Sequence, residues 1–416
     1  LGLPGYPAAR RYAAVPLCQH LLGYLDGTGH GATGLEKALD AVLSGTGEHS
    51  SLVCAVTAQG TLRTGETARL LQADSGALGV QLAISRPVQR AVEAVAASTM
   101  TSGCILVLDT ATAAVRASVS VPCYDPERLA DSLQAENSPF LNRALQCYAV
   151  GSVFKPVLAA AALEAGLQPV FECTGAVVVD GQIFRCAGGV PHGQVDLAAA
   201  LEKSCNGYFI RLGQQLGAEK LLDAAKAFGF GQSLPLAEGI AAEAGQLPTP
   251  QELAQSGQLA NFSFGQGSLL AAPMQVAALF NTIAADGVYR APYVLQATLD
   301  ETTGQPVETL SHPRGRRVIP AQSAAHLRAM LVQVVQQGTA QDAAGLSGGA
   351  GGKTGTAQTG QFTPEGTERC NLWFAGFWPA EKPRYTIVVL QDGAIHTAYS
   401  GAAIFAQVCN ALEAAG

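Results

Sequence analysis

The chain of 416 residues exceeds one typical domain length and is 48% hydrophobic, so one large domain with a smaller companion and a sizeable core is expected. A formal net charge of -7 with only 14% charged residues excludes a nucleic-acid partner, because binding phosphates needs clustered Lys and Arg. No apolar run reaches the roughly 18 to 20 residues of a membrane span and no signal peptide is present, so the chain as given reads as soluble.

In chain order, the first stretch, Leu1 to about Gly76, is loop-rich. "GTGHGATG" leads into "LEKALDAVLSG", which predicts a helix ending at Gly45, and "SSLVCAVTAQGTL" reads as strand and turn. At Gly79 to Ser98 a short strand runs into an amphipathic helix with Val88, Val92 and Val95 on one side, and a domain boundary is placed just before it. "GCILVLDTATAAVRASVSVP" predicts two strands joined by a turn near Asp109 to Ala113, followed by a loop through "YDPERLADSLQAENSPFLNRAL". An alanine-rich helix follows Tyr148, and further helices lie between about Ala198 and Ala285. The basic run Arg314 to Arg317 reads as a solvated turn. Strand signals return in "GGKTGTAQT", "LWFAGFWP" and "YTIVVLQDG", closed by a helix from about Ala402 to Ala414. Strands at both ends of a helical middle predict an α+β arrangement, an antiparallel sheet with helices on it.

Three short motifs carry the chemistry. In "GSVFKPVLAAAALEAG", Ser152 and Lys155 stand three apart at a helix start, so they share a face. A serine hydroxyl is a poor nucleophile at neutral pH and needs a neighbour to take its proton. Burial and the positive end of a helix dipole both disfavour a charged amine there, so Lys155 can serve as general base. Alone, the pair has a plainer reading, a lysine snorkelling from a first turn. Ser204 and Asn206, two apart, point the same way in an extended or turn segment; the hydroxyl can relay a proton and the amide can hold the lysine and a substrate amide. Their plainer reading is a helix N-cap. In "GGKTGT", Lys353 would attract a peptide carboxylate, Thr354 and Thr356 would hydrogen-bond it, and Gly355 leaves room for a substrate backbone along an edge strand. The backbone amides of Ser152 and Thr356 are the natural candidates for an oxyanion hole.

With these motifs in this order the chain resembles the penicillin-binding proteins and serine β-lactamases. In particular it is similar to the class B penicillin-binding proteins, the monofunctional D,D-transpeptidases of peptidoglycan synthesis. The likeness extends to "ENSPFLNRALQCYAVGSVFKP", "ALEKSCNGYF", "SFGQGSLLAAPMQVA", "GGKTGTAQ" with "NLWFAGFWP", the early "LLGYLDGTGHGATGLEKALDAVLSG" and "VQLAISRPVQRAVE". It departs at Val150, where a proline is common in the family, and in a short first region. Together with the start at Leu1 rather than Met, that shortness suggests truncation.

The resemblance implies an antiparallel sheet flanked by helices with an inserted all-helical region, residues 77–416, preceded by a partial N-terminal pedestal at 1–76. It implies acylation of Ser152 by the D-Ala-D-Ala end of a stem peptide, transfer to the amine of a neighbouring strand, and slow acyl-enzymes with β-lactams. Catalysis would need no cofactor. A glycosyltransferase domain does not fit the length, so a separate membrane glycan polymerase is implied as partner. The expected location is the extracytoplasmic face of the bacterial membrane, anchored by an N-terminal segment absent from this chain.

Cys173, Cys186, His192 and Cys205 form a second constellation, with Cys205 inside the second motif. The set matches the ligand types of a structural zinc site, at spacings looser than a compact finger. A Cys173 to Cys186 disulfide and unpaired buried thiols are the alternatives. Two other functions compete with the transpeptidase. A serine β-lactamase would need a glutamate downstream of the second motif to activate water, whereas the nearest likeness, Glu136 to Asn142, lies upstream of Ser152. A β-lactam sensor or scaffold would share the motifs without a pedestal.

Overall fold

The computed structural model describes residues 12, 16–45, 51–63, 66, 68–71 and 76–415; the rest of the stretch expected as a pedestal lies outside the described residues. The predicted helix ending at Gly45 is instead two short ones, Gly34–Ala38 and Asp40–Ser44. Leu39 breaks the helix between them and turns inward, and together with Cys18, Leu21 and Leu35 it joins the main hydrophobic core. In the second predicted segment, Ser51–Val53 pairs with Arg69–Leu71, and an exposed turn closes at Thr57 to Thr61.

Strand Leu78–Leu82 leads into α1 (Arg86–Thr99), whose buried side carries Val88, Val92 and Val95. The main sheet begins with β1 (Gly103–Asp109) and β2 (Val115–Val121). Gly103 to Leu108 are all buried, which is why this strand reads as a continuous apolar run with no alternation. Within the loop predicted after β2, Leu129–Leu133 closes one exposed helical turn. The helical middle then contributes α2 (Lys155–Glu164), α3 (Leu197–Glu202), α4 (Asn206–Leu216), α5 (Pro273–Ala284) and α6 (Ala321–Gln336), with small hairpins between them. The last strands are β3 (Gly351–Phe362), β4 (Glu368–Trp378) and β5 (Tyr385–Ala394), followed by α7 (Gly401–Ala414).

The sheet order is β3-β4-β5-β1-β2, antiparallel throughout, with β3 on an edge. Helices α1 and α7 pack against each other and on the sheet, which α5 and α6 also contact. Helix α5 is buried on every side, and burying each of Leu279, Phe280 and Ile283 contributes about 1.5–3 kcal/mol. Its polar residues are satisfied: Asn281 donates to Thr110 O at 3.3 Å and accepts from Thr386 Oγ1 at 3.0 Å. The basic run is held more firmly than a loose turn. Arg316–Arg317 pairs with Val288–Tyr289, and the Arg316 guanidinium lies 4.6 Å from the Tyr289 ring centre.

Candidate active site

Ser152 stands on a 3₁₀ turn, Gly151–Phe154, that runs directly into α2. The turn is fixed from several sides. Gly151 N–H donates to Gly265 O at 2.8 Å, the preceding Ala149 O accepts from Trp373 Nε1 at 3.0 Å, and Phe154 packs between Phe230 and Phe262. Gly151 has φ +64°, and a Cβ there would lie 2.7 Å from Thr356 O, so only glycine lets β3 come this close to the turn. Because residues i and i+3 eclipse in a 3₁₀ turn, Ser152 and Lys155 fall on one side.

Lys155 is 0% exposed. Its Nζ lies 2.7 Å from Ser204 O, 3.1 Å from Ser204 Oγ and 2.8 Å from Asn206 Oδ1. Burial pulls its pKa down from the ordinary lysine range to about 7, against a weaker opposing influence of Cys205 and Cys186. An ammonium donates to all three oxygens. A neutral amine keeps two of those bonds and turns its lone pair to a hydroxyl.

Of the two forms expected for the second motif, extended or turn, it takes the turn. Helix α3 ends just before it, Ser204 takes a left-handed conformation with φ +53°, and α4 begins at Asn206. A non-glycine residue held there costs on the order of 1–3 kcal/mol and persists only where its surroundings enforce it. The turn brings Ser204 and Asn206 together on Lys155. The N-cap role falls to Cys205, whose Sγ accepts from Tyr208 N–H at 3.4 Å. Asn206 Nδ2 donates to Arg185 O at 2.9 Å, tying the motif to the neighbouring hairpin.

On β3 the pleat puts Thr354, Thr356 and Gln358 toward the cleft, while Lys353, Gly355 and Ala357 are buried. Two roles inferred from the sequence take a different form here. Gly355, which also lines the cleft, makes room for the nucleophile turn, since a Cβ on it would sit 3.0 Å from Val153 Cγ1 and 3.1 Å from Val153 N. Lys353 is 0% exposed and absent from the cleft lining; its Nζ donates to Thr354 O at 3.1 Å and meets Thr354 Oγ1 at 3.4 Å. Burial, and then the charge of Lys155, holds its pKa well below the ordinary value.

The cleft of about 1010 Å³ is lined by Ser152, Ser204, Asn206, Thr354, Gly355 and Thr356. It also includes residues that sequence reasoning missed. Thr339 Oγ1 lies 2.7 Å from Thr354 Oγ1, and Gln266 Nε2 reaches Thr356 O at 3.5 Å. Thr339 comes from the loop after α6 and has no local signature; Gln266 stands in "SFGQGS", a stretch noted for its likeness but not for its side chains.

Beneath the second motif the other constellation closes up. Strand Phe171–Cys173 pairs with Gly193–Val195, and hairpin Ala176–Val179 with Gln182–Arg185 delivers Cys186. Cys173 Sγ is 3.7 Å from Cys186 Sγ and 3.4 Å from His192 Nδ1, and Cys186 Sγ is 3.9 Å from Cys205 Sγ. All ten cysteines are free thiols, so no Cys173 to Cys186 disulfide is formed. The hydrogen bond between Cys186 and Cys205 pushes the Cys186 thiol down and the Cys205 thiol up, as for two groups sharing one proton.

A serine on a helix start, a buried lysine behind it and an edge strand across the cleft define a serine acyl-transfer enzyme. The chain belongs to the penicillin-binding protein transpeptidase domain family, whose model matches residues 103–412. It is 32% identical to the peptidoglycan D,D-transpeptidase PbpA of Mycolicibacterium smegmatis, over 99% of this chain and 83% of that protein. It is 32% identical to the penicillin-binding protein PbpB of the same organism over 92% of this chain, where it spans 60% of the relative's length. Penicillin-binding protein 3 of Mycobacterium tuberculosis, solved in complex with aztreonam, superposes with a TM-score of 0.78 at 28% identity, covering 96% of this chain and 88% of that one.

Proposed function

We propose that this protein cross-links peptidoglycan stem peptides through an acyl-enzyme on Ser152. The observation that carries the reading is the buried Lys155 amine, with its pKa near neutrality, three residues after Ser152 and hydrogen-bonded to Ser204 and Asn206. Neutral Lys155 takes the Ser152 proton as Oγ attacks the carbonyl carbon of the penultimate D-Ala. The C–N bond to the last D-Ala then breaks. Its amine leaves with a proton passed from Lys155 through the Ser204 hydroxyl. In the second half, an amine of a neighbouring strand attacks the ester, a new amide forms, and Ser152 regains its proton. The amides of Ser152 and Thr356 receive the oxyanion in both halves.

Thr354 and Thr356 hydrogen-bond the substrate on β3. Lys353 acts at one remove, as a positioning residue that orients the Thr354 hydroxyl together with Thr339. β-Lactams enter as substrate mimics and stay as esters. No residue lining the cleft is acidic among the described residues, and Glu136 is exposed and outside it, which favours slow deacylation over a β-lactamase.

In this reading residues 77–416 form the transpeptidase domain and 1–76 part of a pedestal. The domain works on the extracytoplasmic face of the membrane, tethered by an N-terminal segment beyond this chain, beside a separate glycan polymerase. The one cofactor the reading admits is a structural zinc at Cys173, Cys186, His192 and Cys205, through which no step passes. The test is to supply a stem peptide ending in D-Ala-D-Ala with an amine acceptor. Release of D-Ala matched by cross-linked product supports transfer; release matched only by hydrolysed peptide sinks it.

A further inference from the structure

The cleft is lined almost throughout by neutral side chains. Among the described residues that border it, Arg185 alone carries a charged side chain, and it is exposed there. The lysines of the first and third motifs do not take its place, since Lys155 and Lys353 are both buried and absent from the lining. Among the described residues the Arg185 guanidinium has no ion pair and no hydrogen bond. Its cross-strand partner is Ala176, and the residue two before it on the same face of the strand is Ile183, so neither neighbour offers it an anion. In a chain with a formal net charge of -7, this cation at the cleft is left open to a negative group brought by the ligand.

Its place along the substrate follows from hydrogen bonds already made. Arg185 ends strand Gln182–Arg185, and its carbonyl takes one N–H of Asn206 Nδ2 at 2.9 Å, while Asn206 Oδ1 accepts from Lys155 at 2.8 Å. The amide has a second N–H, which remains for the substrate. The terminal carboxylate of a donor peptide goes to Thr354 and Thr356, and the scissile carbonyl to the amides of Ser152 and Thr356. The one peptide group of the D-Ala pair still to be held is the bond to the preceding residue. Asn206 meets that group, so the preceding residue lies beside the strand that carries Arg185.

We infer that Arg185 is a specificity-determining residue, its guanidinium pairing with a carboxylate on the side chain of the residue that precedes D-Ala-D-Ala in the donor peptide. A guanidinium offers a carboxylate two parallel N–H donors and a full charge, whereas an amide in the same place supplies one acceptor and no charge. The substrate class is therefore a stem peptide whose diamino acid keeps its distal carboxylate free, in preference to one in which that group is amidated. The inference rests on the reading of Ser152 as the nucleophile for a D-Ala-D-Ala donor and adds no covalent step to it. Because Arg185 is exposed, the pair is modest in strength and screened by salt.

The test measures binding, not turnover. The whole chain carrying Ser152→Ala is titrated by calorimetry with two peptides ending in D-Ala-D-Ala, identical except that the preceding diamino acid has its distal carboxylate free in one and amidated in the other. All amines are acetylated, so neither peptide can act as acceptor. The free-carboxylate peptide is expected to bind about 3–10-fold more tightly, by a margin that shrinks as salt is raised. Adding Arg185→Gln should bring the two peptides to equal affinity, and Arg185→Lys should keep part of the difference. Lys220→Gln, the same change of charge on an exposed helix residue outside the cleft, should keep all of it. Equal binding of the two peptides before Arg185 is changed, or binding of neither, overturns the assignment. A loss in Arg185→Gln that is equal for both peptides also overturns it, because the guanidinium would then serve the terminal carboxylate. Acylation by benzylpenicillin is followed in parallel on the chain with Ser152 intact. Discrimination between the peptides without acylation would count against the acyl-enzyme reading alone, and acylation without discrimination against Arg185 alone.

Discussion

The nucleophile turn and the tetrad segment border the same cleft, yet they are held by opposite means. Around Ser152 the order comes from packing: Val150, Val153, Phe154, Val157 and Leu158 are all fully buried, and β3 presses on the turn from the sheet edge. Segment 171–195 has short hairpins whose apolar side chains face outward, with Val178 64%, Ile183 55% and Val190 54% exposed. Its inward anchors are chiefly the Cys173 and Cys186 thiols and the strand residues Val179 and Val195. Where burial cannot supply order, ligand-type side chains stand in its place. The nucleophile is therefore insensitive to anything but core damage, while the residues that tune Lys155 depend on a few polar atoms.

Several substitutions would break or sharpen this contrast. The largest effect short of removing the nucleophile belongs to Lys155→Ala, which is expected to lower the acylation rate by about 10²–10⁴-fold, the usual contribution of a general base, while stopped-flow binding of the antibiotic is retained. Asn206→Ala leaves Lys155 and the Arg185 carbonyl each short of a partner, with about 1–3 kcal/mol added to the acylation barrier by single-turnover kinetics. Gly151→Ala attacks the packed side instead. A Cβ driven toward Thr356 O at a left-handed position should lower the unfolding free energy by about 1–2 kcal/mol, read by denaturant titration, and slow acylation with it.

The pH dependence has a definite sign. Lys155 must be neutral to accept a proton, so acylation should rise with pH through about 7 and fall tenfold per unit below it. A rate profile flat down to pH 5.5 would remove Lys155 from the role of base. The smallest change is expected from Val178→Thr on the exposed hairpin, within about 0.5 kcal/mol in stability and without effect on acylation.

Much of this was legible in the chain itself. Continuous apolar runs marked β1 and β5, the spacing of Val88, Val92 and Val95 marked α1, and three motifs in order marked the cleft. What escaped depended on distant partners. Leu39 splits a helix because it turns into a core whose other members lie far along the chain. Lys353 sinks beneath the strand, and Gly355 is small for Val153, because β3 packs against the nucleophile turn some 200 residues earlier. Thr339 enters the cleft by tertiary contact with Thr354, which no local spacing announces. The left-handed turn at Ser204 was hidden for a similar reason: serine has no preference for it, and Lys155 and the neighbouring cysteines hold it there.

The account turns on Ser152 as the acylated nucleophile, and intact mass spectrometry with excess benzylpenicillin over several hours tests it most directly. It predicts a single adduct of one antibiotic mass that persists in the native protein and is absent from Ser152→Ala. An adduct of the same mass that survives in Ser152→Ala, or rapid return to the free mass as antibiotic is consumed, would contradict it.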